Sequence, residues 1–241
     1  MNARPKAASA AVRAMILAAG RGERMRPLTD HCPKPLLQVG GRPLIEWHLL
    51  ALAAAGIREV VINHAHLGAL IEQALGDGSR WGLRIRYSVE VQALETAGGI
   101  AKALPFLGEI PFVVVNGDVF SRYPLERACA MATRMHTDAL DAWCVLVDNP
   151  PHHPHGDFAL ASGRLVDHGQ SRLTFSGIGV YHPRLFASVL PGEAARLAPL
   201  IRAAITRGAA GGEHFRGLWV DVGTPARLAE LDAQLQSSAR E

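Results

Sequence analysis

A chain of 241 residues with 49% hydrophobic content has apolar side chain enough for one large α/β domain or two small ones, which excludes a disordered or fibrous polymer. Its formal charge of +3 comes from scattered basic residues, with no long basic run and no interleaved aromatics, so a small polyanion explains the balance as well as a nucleic acid does, and no nucleic-acid partner is expected. Cys32, Cys129 and Cys144 are odd in number and lack the spacing of a disulfide framework or of zinc pairs, so they read as free thiols of a reducing, cytoplasmic compartment. The N-terminus superficially imitates a signal peptide, but Arg13 interrupts its apolar stretch and "GRGERMRP" stands where a cleavage region belongs. Residues 1–12 read as a disordered tail outside the fold, and no stretch is long enough to cross a bilayer.

Strand and helix then alternate. "AMILA" (14–18) opens as an apolar strand and leads into "LAAGRGERMRPLTDHCPKPL" (17–36). After Pro43, Ile45, His48, Leu49 and Leu52 recur at helical spacing, and Gly56 stops the pattern. "EVVIN" (59–63) is the next strand, 67–75 a helix, and "RIRYS" (84–88), "FVVVN" (112–116), "WCVLV" (143–147), "GIGVY" (177–181) and "LWVDV" (218–222) further strands. Helices are expected at 125–136, 197–207 and 225–235. The order predicts a single-domain, Rossmann-like doubly wound sheet, mixed but mainly parallel, over residues 13–241. Such sheets bind ligands at the carboxyl ends of their strands.

The glycine-rich segment lies at such an end. Gly20 and Gly22 would admit a ligand close to backbone amides, and Arg21, Arg24, Arg26 and Lys34 surround them. The dinucleotide fingerprint requires a third glycine and an immediate helix, and the P-loop requires Gly-Lys-Ser/Thr; the segment has neither. Lys34 is framed by Pro33 and Pro35, which restrict where its stem begins, and lysine is rare in this chain, occurring only at 6, 34 and 102. Taken alone it would pass for a solvated loop lysine. A pre-aimed point charge instead suits a phosphate that changes geometry during reaction. Two aspartates close apolar strands, Asp118 in "VNGDV" and Asp221 in "WVDVGTP". Each alone would serve as a turn or helix cap, but a carboxylate at a buried strand end asks for a partner or a metal.

"LAAGRGERMRPLT" followed by "PKPLLQVGGRPLIE" resembles the signature of the sugar-phosphate nucleotidylyltransferases, and "ETAGGI", "VNGDV", "FSGIGVYHP" and "WVDVGTP" extend the likeness over about residues 13–235. Within that family, "VINHAHLG", "LGDGSRWGL", "VDNPPHH" and "GDFAL" are similar to the short bacterial enzymes that join UTP to N-acetylmuramic acid 1-phosphate in peptidoglycan recycling. The resemblance implies the nucleotide-diphospho-sugar transferase fold and a sugar 1-phosphate oxygen attacking the α-phosphate in line, pyrophosphate leaving; such chemistry needs cations and positioning more than acid–base work. It implies that Leu17, Ala18, Ala19 and Gly20 face base and ribose, and that Gly22, Glu23, Arg24 and Lys34 surround the triphosphate. Arg24, Lys34 and Asp118 are then the catalytic residues. Asp118 and Asp221 become ligands of Mg²⁺, the expected cofactor. Base selection falls to "VEVQALETAGGI", with Gly98 at the base and the choice between Glu90 and Gln92 open. Asn116, Asn149, Gly156, Asp157 and Gly177 fall on the sugar side.

The chain departs from many family members in having no lysine between Asp157 and Gly177, so that Arg164, His168 or Arg172 would have to grip the sugar phosphate. It also stops soon after the last helix, which predicts a single-activity enzyme, a monomer or small homo-oligomer. His152, His153 and His155 in "HHPHG" are broken by proline and lack acidic or cysteine partners at ligand spacing, so a mobile loop over the sugar site fits better than zinc. The same chemistry on GTP with mannose 1-phosphate, or dTTP with glucose 1-phosphate, is the nearest alternative; a nucleotide-sensing protein without turnover is the alternative of another class.

Overall fold

The computed structural model describes residues 11–135, 137–169 and 171–238. Most of the expected tail, residues 1–10, lies outside them; Val12 is half-buried against the core. Strand β1 (Ala14–Leu17) leads into the glycine-rich segment, which runs through three single turns of 3₁₀ helix, Glu23–Met25, Leu28–Asp30 and Lys34–Leu36. A short ladder, β2 (Gln38–Val39) with β3 (Arg42–Pro43), precedes helix α1 (Leu44–Ala54). Next come β4 (Glu59–His64), α2 (Gly68–Leu75), β5 (Arg84–Val89), α3 (Glu95–Leu107), β6 (Phe112–Asn116), β7 (Val119–Ser121) and α4 (Leu125–Arg134). The second half holds β8 (Ala142–Val147), β9 (Phe158–Ala161), β10 (Arg164–Val166), β11 (Arg172–Tyr181), α5 (Leu197–Thr206), β12 (Ala210–His214), β13 (Trp219–Asp221) and α6 (Pro225–Ser238).

Nine strands form one sheet in the order β5-β4-β1-β6-β11-β8-β12-β10-β9. The first four are mutually parallel, and so are β8 and β12; β11 runs antiparallel to both its neighbours. At the far end β9 pairs with β10 and also with β11, so the sheet curls back on itself. The opposite edge is β5, where Arg84 and Arg86 are exposed and Lys102 donates to the carbonyl of Val89.

Alternation along the central strands divides the core between two faces. Ala14, Ile16, Val60, Ile62, Val113 and Val115 pack with Leu49 of α1, Ile71 of α2 and Leu125 of α4. Met15, Val61 and Val114 point the other way, to Ile100 of α3 and Ile201 of α5. Fully burying one such aliphatic side chain stabilises by about 1.5–3 kcal/mol. A third cluster matters most for position: Met25, Leu37, Leu44, Phe120 and Val222 gather beneath Leu228 and Leu231 of α6. It ties the loop after β1 to the short antiparallel pair β7–β13, which stands apart from the main sheet.

Several elements lack a plain sequence signature. Helix α3 contains Gly98, Gly99 and Pro105, all poor in a helix interior, yet it buries Ala97, Ile100, Ala101 and Ala103 together with the two glycines. Strand β12 reads "AGGEH", with no β-branched residue, and forms because it pairs with β8 over five residues. The helix expected to reach His136 ends at Arg134, and His136 lies outside the described residues.

Candidate active site

The carboxyl ends of the parallel strands open into a cleft of about 700 Å³. The segment after β1 forms one wall, held from beneath: Met25 is fully buried, and the Gly22 carbonyl accepts from the Met25 amide at 2.8 Å and from Thr29 Oγ1 at 2.8 Å. Gly22 has φ +66°, and a Cβ there would lie 2.9 Å from Thr29 Cγ2, so both its conformation and its neighbours require glycine. Arg21, Glu23 and Arg24 are left exposed on the cleft side. Leu17, Ala18, Ala19, Gly20, Gly22, Glu23, Arg24 and Lys34 all line the cleft.

Lys34 is 7% exposed, and its Nζ donates to Asp118 Oδ2 at 2.8 Å. A buried ammonium needs such a partner. Asp118 follows β6 and precedes β7, and the Val222 amide after β13 donates to its carbonyl at 3.0 Å. The β7–β13 ladder thus sets Asp221 opposite Val119, next in the chain to Asp118, and brings the two aspartates together from far apart in sequence. Asp221 Oδ2 accepts from Arg227 Nη1 at 2.7 Å and lies 3.1 Å from His152 Nε2. Among the described residues no three His, Cys, Asp or Glu side chains form a metal cage. Asp118 in the turn before β7 and Asp221 at the end of β13, each now facing a cation of the protein, fit Mg²⁺ only if substrate phosphates and water complete its shell, which is how this ion is usually held.

The opposite wall is a hydrogen-bonded chain. The Ala18 amide donates to Asn63 Oδ1 at 2.9 Å, Asn63 Nδ2 to Glu90 Oε1 at 2.7 Å, and the Leu94 amide to Glu90 Oε2 at 3.0 Å. Asn63 and Glu90 are both 3% exposed and line the cleft, while Gln92 is exposed and does not. Asn63, the last residue of the apolar run "EVVIN", has no part in the sequence reading; its polar side chain at a strand's carboxyl end was the available signal. Gly98, expected at the base, does not line the cleft. A Cβ there would lie 2.2 Å from the Glu193 carbonyl, and its amide donates to Ala195 O, so its missing side chain lets residues 193–195 pass across α3.

On the sugar side only Asn116 lines the cleft. Gly177 has φ +80° within a bulge of β11, and a Cβ there would strike Asn116 at 2.8 Å, so it acts by leaving Asn116 its place. Asn149, expected at the sugar, instead donates from Nδ2 to Arg172 O at 2.9 Å and Pro154 O at 3.1 Å, and accepts from Thr174 at 2.8 Å. Asp157 accepts from the Phe175 amide at 2.8 Å and lies 3.2 Å from His153, and Gly156, at φ +58°, packs on the Asn149 side chain. These three build the corner joining β8, β9 and β11 and do not line the cleft. Nor do the cations expected to grip a phosphate: Arg172 Nη2 donates to Asp157 O, Arg164 to Gly208 O, and the His168 side chain is 96% exposed. The histidine-rich loop reaches the site through His152 alone.

Behind Asp118, His48 of α1 is buried; burial lowers its pKa from 6.5 to about 4, against the opposing effects of a Val119 backbone hydrogen bond and of Asp118. Remote from the cleft, Asp141 accepts from Arg184 Nε and from Arg207 Nη2 at 2.8 Å. Its burial raises the carboxyl pKa, and the two guanidinium groups outweigh that, holding it below 3.8. The cysteines are free thiols, and no helix among the described residues is long and apolar enough to cross a membrane.

Comparison with known proteins agrees with this architecture. The nucleotidyl transferase family model matches residues 13–238. An N-acetylmuramate alpha-1-phosphate uridylyltransferase of Neisseria meningitidis serogroup B is 53% identical over 226 residues, covering 92% of this chain and 97% of that one. One of the same name from Caulobacter vibrioides is 34% identical over 92% of this chain and 96% of its own. The solved structure of an inositol-1-phosphate CTP transferase from T. maritima superposes with a TM-score of 0.77 at 20% identity, covering 96% of this chain and 97% of that one; at that identity it speaks to the fold alone. With its signature loop, its lysine–aspartate pair and a match from Arg13 to Ser238, this chain belongs to the nucleotidyl transferase family and is an enzyme of that class.

Proposed function

We propose that this protein joins UTP to N-acetyl-α-muramic acid 1-phosphate, giving UDP-N-acetylmuramic acid and pyrophosphate, with Mg²⁺ as cofactor, in the cytoplasm and in the service of peptidoglycan recycling. The observation that carries the chemistry is the buried Lys34 ammonium held on Asp118 at the mouth of a glycine-walled cleft. The substrate pair is supported by the likeness to the Neisseria enzyme, which runs nearly end to end through both chains.

In this reaction a phosphate oxygen of the sugar 1-phosphate forms a bond to the α-phosphorus of the nucleotide. The bond from that phosphorus to the oxygen bridging to the β-phosphate breaks, and pyrophosphate leaves with the electron pair. Backbone amides of the loop after β1 and the exposed fork of Arg24 receive the leaving pyrophosphate. Lys34, released from Asp118, follows the charge that grows on the α-phosphate, an interaction stronger in the transition state than before it. Asn63 and Glu90 fix the wall against which the base packs, and Glu90 retains acceptor capacity for a base N–H. Asp118 and Asp221 would hold Mg²⁺, which supplies neutralisation of phosphate charge when bound.

Pyrophosphate release with Mg²⁺, for UTP, GTP, dTTP and CTP against N-acetylmuramic acid, glucose and mannose 1-phosphates, tests the reading. It expects a clear preference for UTP with the muramic substrate; preference for another pair overturns the substrate assignment, and silence from folded, nucleotide-binding protein overturns the enzyme. Lys34→Ala is expected to lower turnover at least tenfold, about 1.4 kcal/mol of transition-state stabilisation. Turnover near that of the unaltered enzyme would remove Lys34 from the mechanism.

A further inference from the structure

The cations lining the cleft all stand on one side. Arg21, Arg24 and Lys34 belong to the segment after β1, where a triphosphate would lie. A second anionic substrate needs a further positive partner, and the β7–β13 ladder, joined to that segment through Lys34 and Asp118, is where one is found. There the lining is Gly223, and the guanidinium of Arg227 lies against it: a Cβ at Gly223 would come within 2.4 Å of Arg227 Nη2.

That guanidinium is already oriented. Nη1 donates to Asp221 Oδ2 at 2.7 Å and to His152 Nε2 at 2.8 Å, and Nε faces Thr224 Oγ1 at 3.4 Å. Arg227 stands just behind the lining; Nη2, the nitrogen nearest Gly223, has no hydrogen-bond partner among the described residues, and the side chain is 18% exposed. A planar fork fixed on one edge with N–H groups left over on the other is prepared for phosphate oxygens at small further entropic cost. The other basic residues of the second half donate elsewhere, Arg172 to Asp157 and Arg164 to Gly208.

We propose that Arg227 binds the phosphate of the sugar 1-phosphate, and that His152, carried in by the loop before β9, is a positioning residue that holds Arg227 in place. The proposal rests on the functional reading above. It gives Asp221 a neighbour that carries positive charge into the cleft, and it gives the histidine-rich loop a role at the sugar side without a metal.

Steady-state kinetics of the full-length enzyme, varying UTP, sugar 1-phosphate and Mg²⁺ in turn, tests it. Arg227→Gln is expected to raise KM for the sugar 1-phosphate about tenfold or more, with KM for UTP within about twofold and the half-saturating Mg²⁺ concentration unmoved; tenfold corresponds to about 1.4 kcal/mol of binding. The inhibition constant of glucose 1-phosphate, used as a competitor, should rise by the same factor. Arg227→Lys should recover part of the loss, and His152→Ala should raise the same KM by about threefold. A rise confined to the substrate bearing the lactyl carboxylate would overturn the phosphate assignment, and so would equal rises for UTP and sugar phosphate. A shift in Mg²⁺ requirement alone would make Arg227 a support for Asp221. Should the unaltered enzyme prefer a different substrate pair, the functional reading fails while Arg227 is tested on that pair's sugar phosphate; the expected preference with unmoved KM in both Arg227 variants sinks the Arg227 proposal alone.

Discussion

The two halves of the main sheet use their polar residues differently. In β5, β4, β1 and β6 all strands point one way, so the residues that leave their carboxyl ends, Ala18, Asn63, Glu90 and Asn116 among them, gather at one cleft. In the half built from β11, β8, β12, β10 and β9, every neighbouring pair but β8–β12 is antiparallel, and such neighbours run past one another. Polar side chains there are taken up in stitching strand to strand, as Asn149 and Asp157 are. Chain direction decides which polar residues remain for chemistry: parallel ends converge on a ligand, antiparallel ends on each other.

Acid should separate the halves most strongly. His48 lies behind Asp118 with its folded pKa lowered to about 4, so below 6.5 the unfolded chain takes up a proton that the folded chain refuses. Its stabilising contribution is complete above 6.5 and declines as the pH falls toward 4, by on the order of 3 kcal/mol. The Asp141 cluster of the second half, with its pKa also depressed, contributes fully above 3.8 and is lost only as the pH falls below that. Denaturant unfolding at a series of pH values should therefore show a loss between pH 6.5 and 4 that His48→Gln abolishes; an unchanged slope in that variant would put the acid sensitivity elsewhere.

Substitution sharpens the contrast next. Asp118→Asn is expected to reduce turnover about a hundredfold, near 2.7 kcal/mol, and a fall of less than threefold would take the carboxylate out of the reaction. Asn149→Ala should act on the fold instead. It removes three hydrogen bonds, at about 2 kcal/mol, lowering Tm by about 4–8 °C and leaving KM for the sugar 1-phosphate within about twofold. A large rise in that KM with Tm unmoved would break the comparison, since Asn149 would then be a ligand.

Much of the parallel half was readable in the sequence because its signals are local: apolar runs set the strands, and Gly22, Lys34 and their prolines lie within one loop. Helix α3 was hidden by Gly98, Gly99 and Pro105, and β12 by its two glycines, since both elements depend on partners distant in the chain. The site residues that escaped notice are linked across still longer separations, Ala18 to Asn63 over 45 positions and His152 to Arg227 over 75. A resemblance marks which segments matter, as it did around Asn149, Gly156 and Asp157. It does not show which way a side chain turns, and there the turn is toward the backbone.

The curled end of the sheet has a counterpart in how the other end is left. With β9 paired on both sides, β5 is the remaining open edge of the main sheet among the described residues, and it carries the exposed Arg84 and Arg86. A second molecule adding its own β5 there would set guanidinium groups against guanidinium groups along the seam, while the Lys102 ammonium already occupies the carbonyl at the strand's end. The edge is thereby guarded against strand-by-strand growth into aggregates.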